Sequence, residues 1–192
     1  SDPAGNNLLG IGNPFNSPPV VSNTIFYARE IKQGQSFDLV DNFDAGTNSA
    51  VWLSILGGQT DQICGSVDGN ALRMNQLGTR RARTQQFDVS NGGTISFDLK
   101  ISDEATAGCE AAEPGENVVL EYSIGGSYIN IATYLESDYP DFTSIAEAIP
   151  VDALGPNTIF QLRQISNSGL DFDVWAVDNF EITGMMGNEC ES

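Results

Sequence analysis

Two stretches of this chain place acids where they could bind a cation. Val40-Asp41-Asn42-Phe43-Asp44 and Val177-Asp178-Asn179-Phe180-Glu181 repeat one pattern near the two ends of the patterned region. Along a strand, alternate residues share a face. Phe37, Leu39, Asp41 and Phe43 share one parity, as do Phe172, Val174, Ala176, Asp178, Phe180 and Ile182. Both aspartates are therefore expected on the core side or its rim, unless a β-bulge turns one out. An isolated buried carboxylate loses several kcal/mol of hydration. The first and last strands of a sandwich are often neighbours, and two such charges about 4 Å apart would repel by about 4 kcal/mol at an effective dielectric near 20. Only six arginines are available to offset this, three of them crowded at Arg80, Arg81 and Arg83. A hard divalent ion does so economically, and calcium accepts carboxylates and backbone carbonyls in irregular geometry. A structural Ca2+ is expected here, although no EF-hand loop or glycine-aspartate repeat is present.

Other chemistries find less support. There is no histidine, so a serine or cysteine nucleophile lacks its usual base and a zinc site lacks ligands. Paired carboxylates can hydrolyse glycosides, and Glu121 is the one acid to test in that role. Its simpler reading is an outward residue on an alternating strand. The glycine-rich pieces are turns between strands, not strand-to-helix phosphate loops. Sugar binding would need exposed aromatic rings, and Trp52, Tyr128, Tyr134 and Tyr139 are the candidates, with Trp52 and Trp175 expected to fill the core. The Arg80, Arg81 and Arg83 cluster could dock an acidic neighbour, but a solvated strand face is the plainer expectation.

The charge balance restricts partners. Twenty-six acids face eight bases, giving a net charge of −18. No basic stripe is available to displace phosphate counterions, so nucleic acid is excluded as a partner, and an anionic membrane surface equally. No apolar run approaches the roughly 18 residues of a membrane span. The first residues, Ser1-Asp2-Pro3-Ala4-Gly5, are compatible with a processed end. The three cysteines, Cys64, Cys109 and Cys190, show no CxxC spacing. A Cys64–Cys109 bridge would close a long loop, contribute about 4 kcal/mol in the chain-entropy model, and imply an oxidising compartment. Cys190 would then be a free thiol, an accident of the chain end, or an interchain link.

The elements that must position these groups read as β-strands. Residues 1–23, with Pro3, Pro14, Pro18 and Pro19, form an extended arm. A connecting strand follows in 24–36, then a sandwich over 37–183 and a tail over 184–192. Alternation is clearest at Ile95, Phe97, Leu99 and Ile101, and again at Val118, Leu120 and Tyr122. Further strands are expected at 51–56, 71–75, 80–88, 127–134, 142–149, 158–166 and 172–183. Turn signals such as Gly57-Gly58, Asp68-Gly69-Asn70 and Asn91-Gly92-Gly93 separate them. About ten short strands with regular turns predict an all-β fold, a jelly-roll β-sandwich.

Several motifs in this order carry a resemblance. FDAG (43–46), Trp52, Gly57-Gly58 and Cys64-Gly65-Ser66 are followed by GNAL (69–72), GTRRART (78–84) and ISFDLKI (95–101). Cys109, VVLEYSIGG (118–126), FQLRQISNSG (160–169) and VWAVDNFEI (174–182) complete the set. Over roughly 37–183 the chain resembles the subrepeat of reelin and its bacterial relatives. The resemblance implies an extracellular jelly-roll sandwich with a disulfide and bound calcium, used for adhesion or recognition without catalysis. By position it implies the pair Cys64–Cys109, and it places Asp44 and Asp178 near the calcium site, to which parity adds Asp41. The chain departs from that pattern in its single subrepeat, its lack of an adjoining EGF-like cysteine cluster and its long N-terminal arm, so no receptor-binding role is carried over.

The resulting expectation is an extracellular or cell-surface, calcium-stabilised, non-catalytic adhesion or assembly module whose partners are other protein surfaces, copies of itself included. One version is a surface filament in which Thr24, Ile25, Phe26, Tyr27 and Ile31 add as a strand to a neighbouring copy. The alternative is a carbohydrate-binding module with glycan partners, and a glycoside hydrolase is the least favoured reading.

Overall fold

The computed structural model describes residues 36–101 and 108–186. The arm, the assembly strand Thr24–Ile31 and Cys190 lie outside the described residues. Among the described residues eleven strands form two antiparallel sheets, as the all-β expectation requires. Sheet A contains β3 (Gly58–Asp61), β4 (Ala71–Met74), β11 (Trp175–Met186), β6 (Thr94–Ile101) and β9 (Thr143–Ala148), in that order. Its sixth strand, β1 (Ser36–Asp41), pairs with the later part of β11, beyond the segment that pairs with β4. Sheet B runs β2 (Trp52–Leu56), β5 (Arg81–Thr84), β10 (Ile159–Gln164), β7 (Val118–Ser123) and β8 (Ile129–Tyr134).

Alternation decides which side chains meet between the sheets. Ile95, Phe97, Leu99 and Ile101 of β6 point inward, as expected, against Phe160 and Leu162 of β10 and Leu120 of β7. Trp52 and Trp175 are buried in the same core. Fully removing such a side chain from water contributes about 1.5–3 kcal/mol. A second buried cluster lies behind sheet A, where Cys64, Ala71, Cys109, Val174 and Ala176 pack with Phe142. The Cys64–Cys109 disulfide ties this cluster together.

The structure departs from the expected pattern at three points. Gly57-Gly58 is not only a turn, because Gly58 opens β3. A Cβ at Gly58 would collide with the Met74 sulfur across the pair, so glycine is what lets the edge strand close. β11 continues to Met186, past the expected end of the sandwich at 183. Finally, the parity set from Phe172 to Ile182 is split by a β-bulge. The register of β11 against β6 shifts between Asp178 and Glu181, and Asn179 adopts φ 47°. Before the bulge Trp175 and Val177 face the main core while Val174 and Ala176 face the second cluster; after it Phe180 and Ile182 face the main core. Phe172 precedes the strand and is exposed.

Candidate functional site

Asp41 and Asp178 are both buried, but on different sides of sheet A. Asp41 turns toward Trp52 of the main core. Its Oδ1 accepts from the Phe43 amide at 3.0 Å, and its Oδ2 accepts from the Asn48 amide and Trp52 Nε1, both at 2.7 Å. Asp178 follows Ala176 to the opposite face, where its oxygens accept from the amides of Val67 and Asn179, both at 2.8 Å, and of Asp68. Burial raises the Asp178 carboxyl above its ordinary range, against the lowering effect of these amides. Exposed Asp44 accepts from the Asn70 amide at 2.9 Å, so Asp44 and Asp178 both anchor the turn at 66–70. The partners that sequence reasoning assigned to a cation are here backbone N–H groups and an indole. A carboxylate offers about four acceptor sites, and Asp41 and Asp178 each already use three.

The acids that converge are others. Among the described residues, Glu113, Glu116 and Asp173 bring carboxylate oxygens within 4.8 Å of one another. Two oxygens bound to one calcium at 2.3–2.6 Å lie at most about 5 Å apart, so this set fits the ion's chemistry. Glu110 adds a further acid by accepting from the Asp173 amide at 2.6 Å. Burial pushes the Glu116 carboxyl up, and the neighbouring Asp173 adds to this. Beneath the cluster lies Arg80, fully buried and donating to Gln76 O at 2.9 Å and Asp173 O at 2.6 Å. The solvated arginine face expected at 80–83 is thus corrected at Arg80. Sequence reasoning missed this cluster, whose signal is the spacing Glu113-x-x-Glu116 together with Asp171-x-Asp173 before Trp175.

A third constellation covers the outer face of sheet B. On β5, Ala82 and Thr84 point inward, which leaves Arg81 and Arg83 outward; on β7 and β10 the outward residues include Val119, Glu121, Gln161 and Arg163. Cross-strand register sets them in rows. Arg83, Gln161 and Glu121 are successive partners across β5, β10 and β7, and Arg81, Arg163 and Val119 form the adjacent row. Glu121 Oε2 accepts from Gln161 Nε2 at 2.6 Å and from Arg163 Nε at 3.0 Å, while Arg163 Nη2 reaches Oε1 at 2.8 Å. Burial alone would raise the Glu121 carboxyl, but these donors outweigh it and hold it below the usual range. That is opposite to what a glycosidic general acid needs. Arg83 lies over the Tyr128 ring, 5.4 Å from its centroid. Of the four aromatic candidates for sugar stacking, Trp52 and Tyr134 are buried in the core and Tyr139 packs on Tyr134, which leaves Tyr128 at this face. Three buried polar atoms here have no hydrogen-bond partner: Arg81 Nε, Arg83 Nε and Gln161 Oε1. Beside Arg163 opens a cleft of about 440 Å³ lined also by Leu77, Thr79 and Ile165.

Comparison with solved structures places the fold among β-sandwich modules. The CBM22-1 xylan-binding domain from Paenibacillus barcinonensis matches with a TM-score of 0.52 and 12% identity, over 82% of this chain and 99% of that one. A variant of the family 29 carbohydrate-binding module CBM29-2 matches with a TM-score of 0.50 and 14% identity, over 77% of this chain and 91% of that one. At such identities the likeness shows the fold alone. The sequence comparison reaches further, because the profile of Reelin subrepeat B matches residues 57–183, a span that holds the disulfide, the acidic cluster and strands β5, β7, β8 and β10 of sheet B. With the two sheets and the Cys64–Cys109 bridge in place, this chain belongs to the reelin subrepeat B family.

Proposed function

We propose that this chain is an extracellular, non-catalytic recognition module that binds a glycan on the outer face of sheet B. The observation that carries the reading is the row Arg83–Gln161–Glu121, where Arg83 Nε and Gln161 Oε1 have no hydrogen-bond partner. Leaving a buried donor or acceptor unsatisfied costs about 1–3 kcal/mol. A folded chain tolerates that where a ligand completes the bonds, and sugars offer hydroxyls that both donate and accept. The sandwich modules named above are carbohydrate-binding modules and support the reading by fold. The disulfide fits an oxidising, extracellular setting. Affinity electrophoresis of the full chain through gels containing soluble polysaccharides tests the proposal. Retardation by at least one glycan, lost in Arg83→Ala, is expected. Free migration through every gel would leave adhesion to protein surfaces as the function.

We also propose that the module holds a structural calcium ion. The sequence expectation named Asp41, Asp44 and Asp178; the convergence of Glu113, Glu116 and Asp173 favours that second group as the ligands. Bound there, the ion would neutralise clustered charge and tie the loop before β11 to the segment before β7. The filament reading through Thr24–Ile31 stands as a separate proposal, tested by deleting residues 1–31. Loss of polymers visible by electron microscopy supports it, and unchanged assembly overturns it.

A further inference from the structure

The outer face of sheet B is basic on a protein of net charge −18. Three of the eight basic residues, Arg81, Arg83 and Arg163, stand there in two adjacent rows. Glu121 pairs with Arg163. Among the described residues, neither Arg81 nor Arg83 has an acidic partner, although acids outnumber bases 26 to 8 in the chain. We propose that this face binds an acidic glycan, a uronate-containing saccharide whose carboxylate sits on Arg81 and Arg83 and whose hydroxyl donates to Gln161. The proposal rests on the glycan-binding reading above and narrows it.

The hydrogen-bond inventory selects the ligand class. Gln161 is 3% exposed, and its amide nitrogen donates to the Glu121 carboxylate, which leaves Oε1 as a buried acceptor without a donor. On its other side the register partner is Arg83, whose Nε also lacks a partner. Arg81 and Arg83 are two positions apart on one strand face, so their stems emerge about 6–7 Å from each other. A ligand that completes this face offers a hydrogen-bond donor to Gln161 and anionic oxygen to the arginines, on one rigid body. A uronate ring carries both. An acidic peptide carries its carboxylates on flexible side chains apart from its backbone N–H donors, and a neutral sugar leaves the two guanidinium charges unpaired. Arg83 is further fixed by the Tyr128 ring, which supplies a flat neighbour for a sugar. The overall negative charge does not prevent contact, because at an ionic strength of about 0.15 M charges farther than roughly 8 Å are largely screened.

Isothermal titration of the full chain with oligogalacturonate, its methyl ester, a neutral xylo-oligosaccharide and a polyglutamate peptide tests the proposal. Oligogalacturonate should bind about tenfold tighter than its ester, roughly 1.4 kcal/mol. The double variant Arg81→Ala/Arg83→Ala should lose that preference while still unfolding in one cooperative thermal transition. Equal binding of acid, ester and neutral sugar overturns the acidic-glycan inference and keeps the glycan reading. Tighter binding of polyglutamate than of any sugar overturns both, as does the absence of all binding. Gln161→Leu, which keeps both arginines, should weaken the acid and the ester alike; if it weakens neither, the hydroxyl contact is wrong.

Discussion

Gln161 and Glu121 face each other across β10 and β7, with the amide nitrogen donating over 2.6 Å and the buried amide oxygen left without a partner. The carboxylate thus orients the amide, and in the proposed glycan reading it holds the recognition face in place. Glu121 is 8% exposed and held ionised by Arg163 and Gln161.

Acid should therefore loosen this face. Because the folded carboxyl of Glu121 lies below its unfolded value, its contribution is present above the ordinary carboxylate range and lost as pH falls through the depressed value. Glu121→Gln should flatten that acid limb of the melting curve and weaken glycan binding at neutral pH. Thermal scans from neutral pH into acid, wild type beside variant, read this directly. Parallel acid limbs would contradict it.

Asp41 should be among the costliest positions to change. Asp41→Ala strips the acceptor from the Phe43 and Asn48 amides and from the Trp52 indole. At about 1–3 kcal/mol for each donor left unsatisfied, a loss of roughly 3 kcal/mol or more is expected. Urea unfolding followed by Trp fluorescence measures it. A change under about 0.5 kcal/mol would show that water reaches these donors.

The disulfide should matter comparably. Replacing Cys64 and Cys109 by serine should cost about 4 kcal/mol and open the second cluster around Val174 and Ala176. Calorimetry of oxidised protein against the double variant gives the figure.

Calcium sensitivity should map to one acidic group. The folded carboxyl of Glu116 is raised, so its stabilising contribution is full below the ordinary carboxylate range and lost as pH rises through the raised value. Where Glu116 ionises, a cation would offset that cost. Chelator should then lower the melting temperature at neutral pH but not in acid. Asp173→Asn should abolish that sensitivity and Asp178→Asn should keep it. The reverse pattern would return the ion to Asp178, and equal melting with and without chelator at neutral pH would remove it.

The alternation at Ile95–Ile101 made the sandwich legible, because a half-buried strand writes its two faces into every second residue. The same rule misled at β11, where one extra residue at Asn179 reverses which face a parity class occupies. Burial of Asp41 and Asp178 was readable; their partners were not, since a carboxylate's demand can be met by amides that sequence does not locate. The outer face of sheet B was hidden for a related reason. Arg83, Gln161 and Glu121 are distant in the chain, and only strand register makes them one row. GTRRART reads as a cluster of three arginines, yet alternation buries Arg80 with the acids and leaves Arg81 and Arg83 outside.

The most direct test of the central claim is backbone NMR shift mapping of the full chain as oligogalacturonate is added. The account predicts that perturbed amides cluster at 81–83, 119–121 and 161–163, with the Gln161 side-chain amide among them. Perturbations confined to sheet A or to the 66–70 turn, or no saturable change at all, would contradict it.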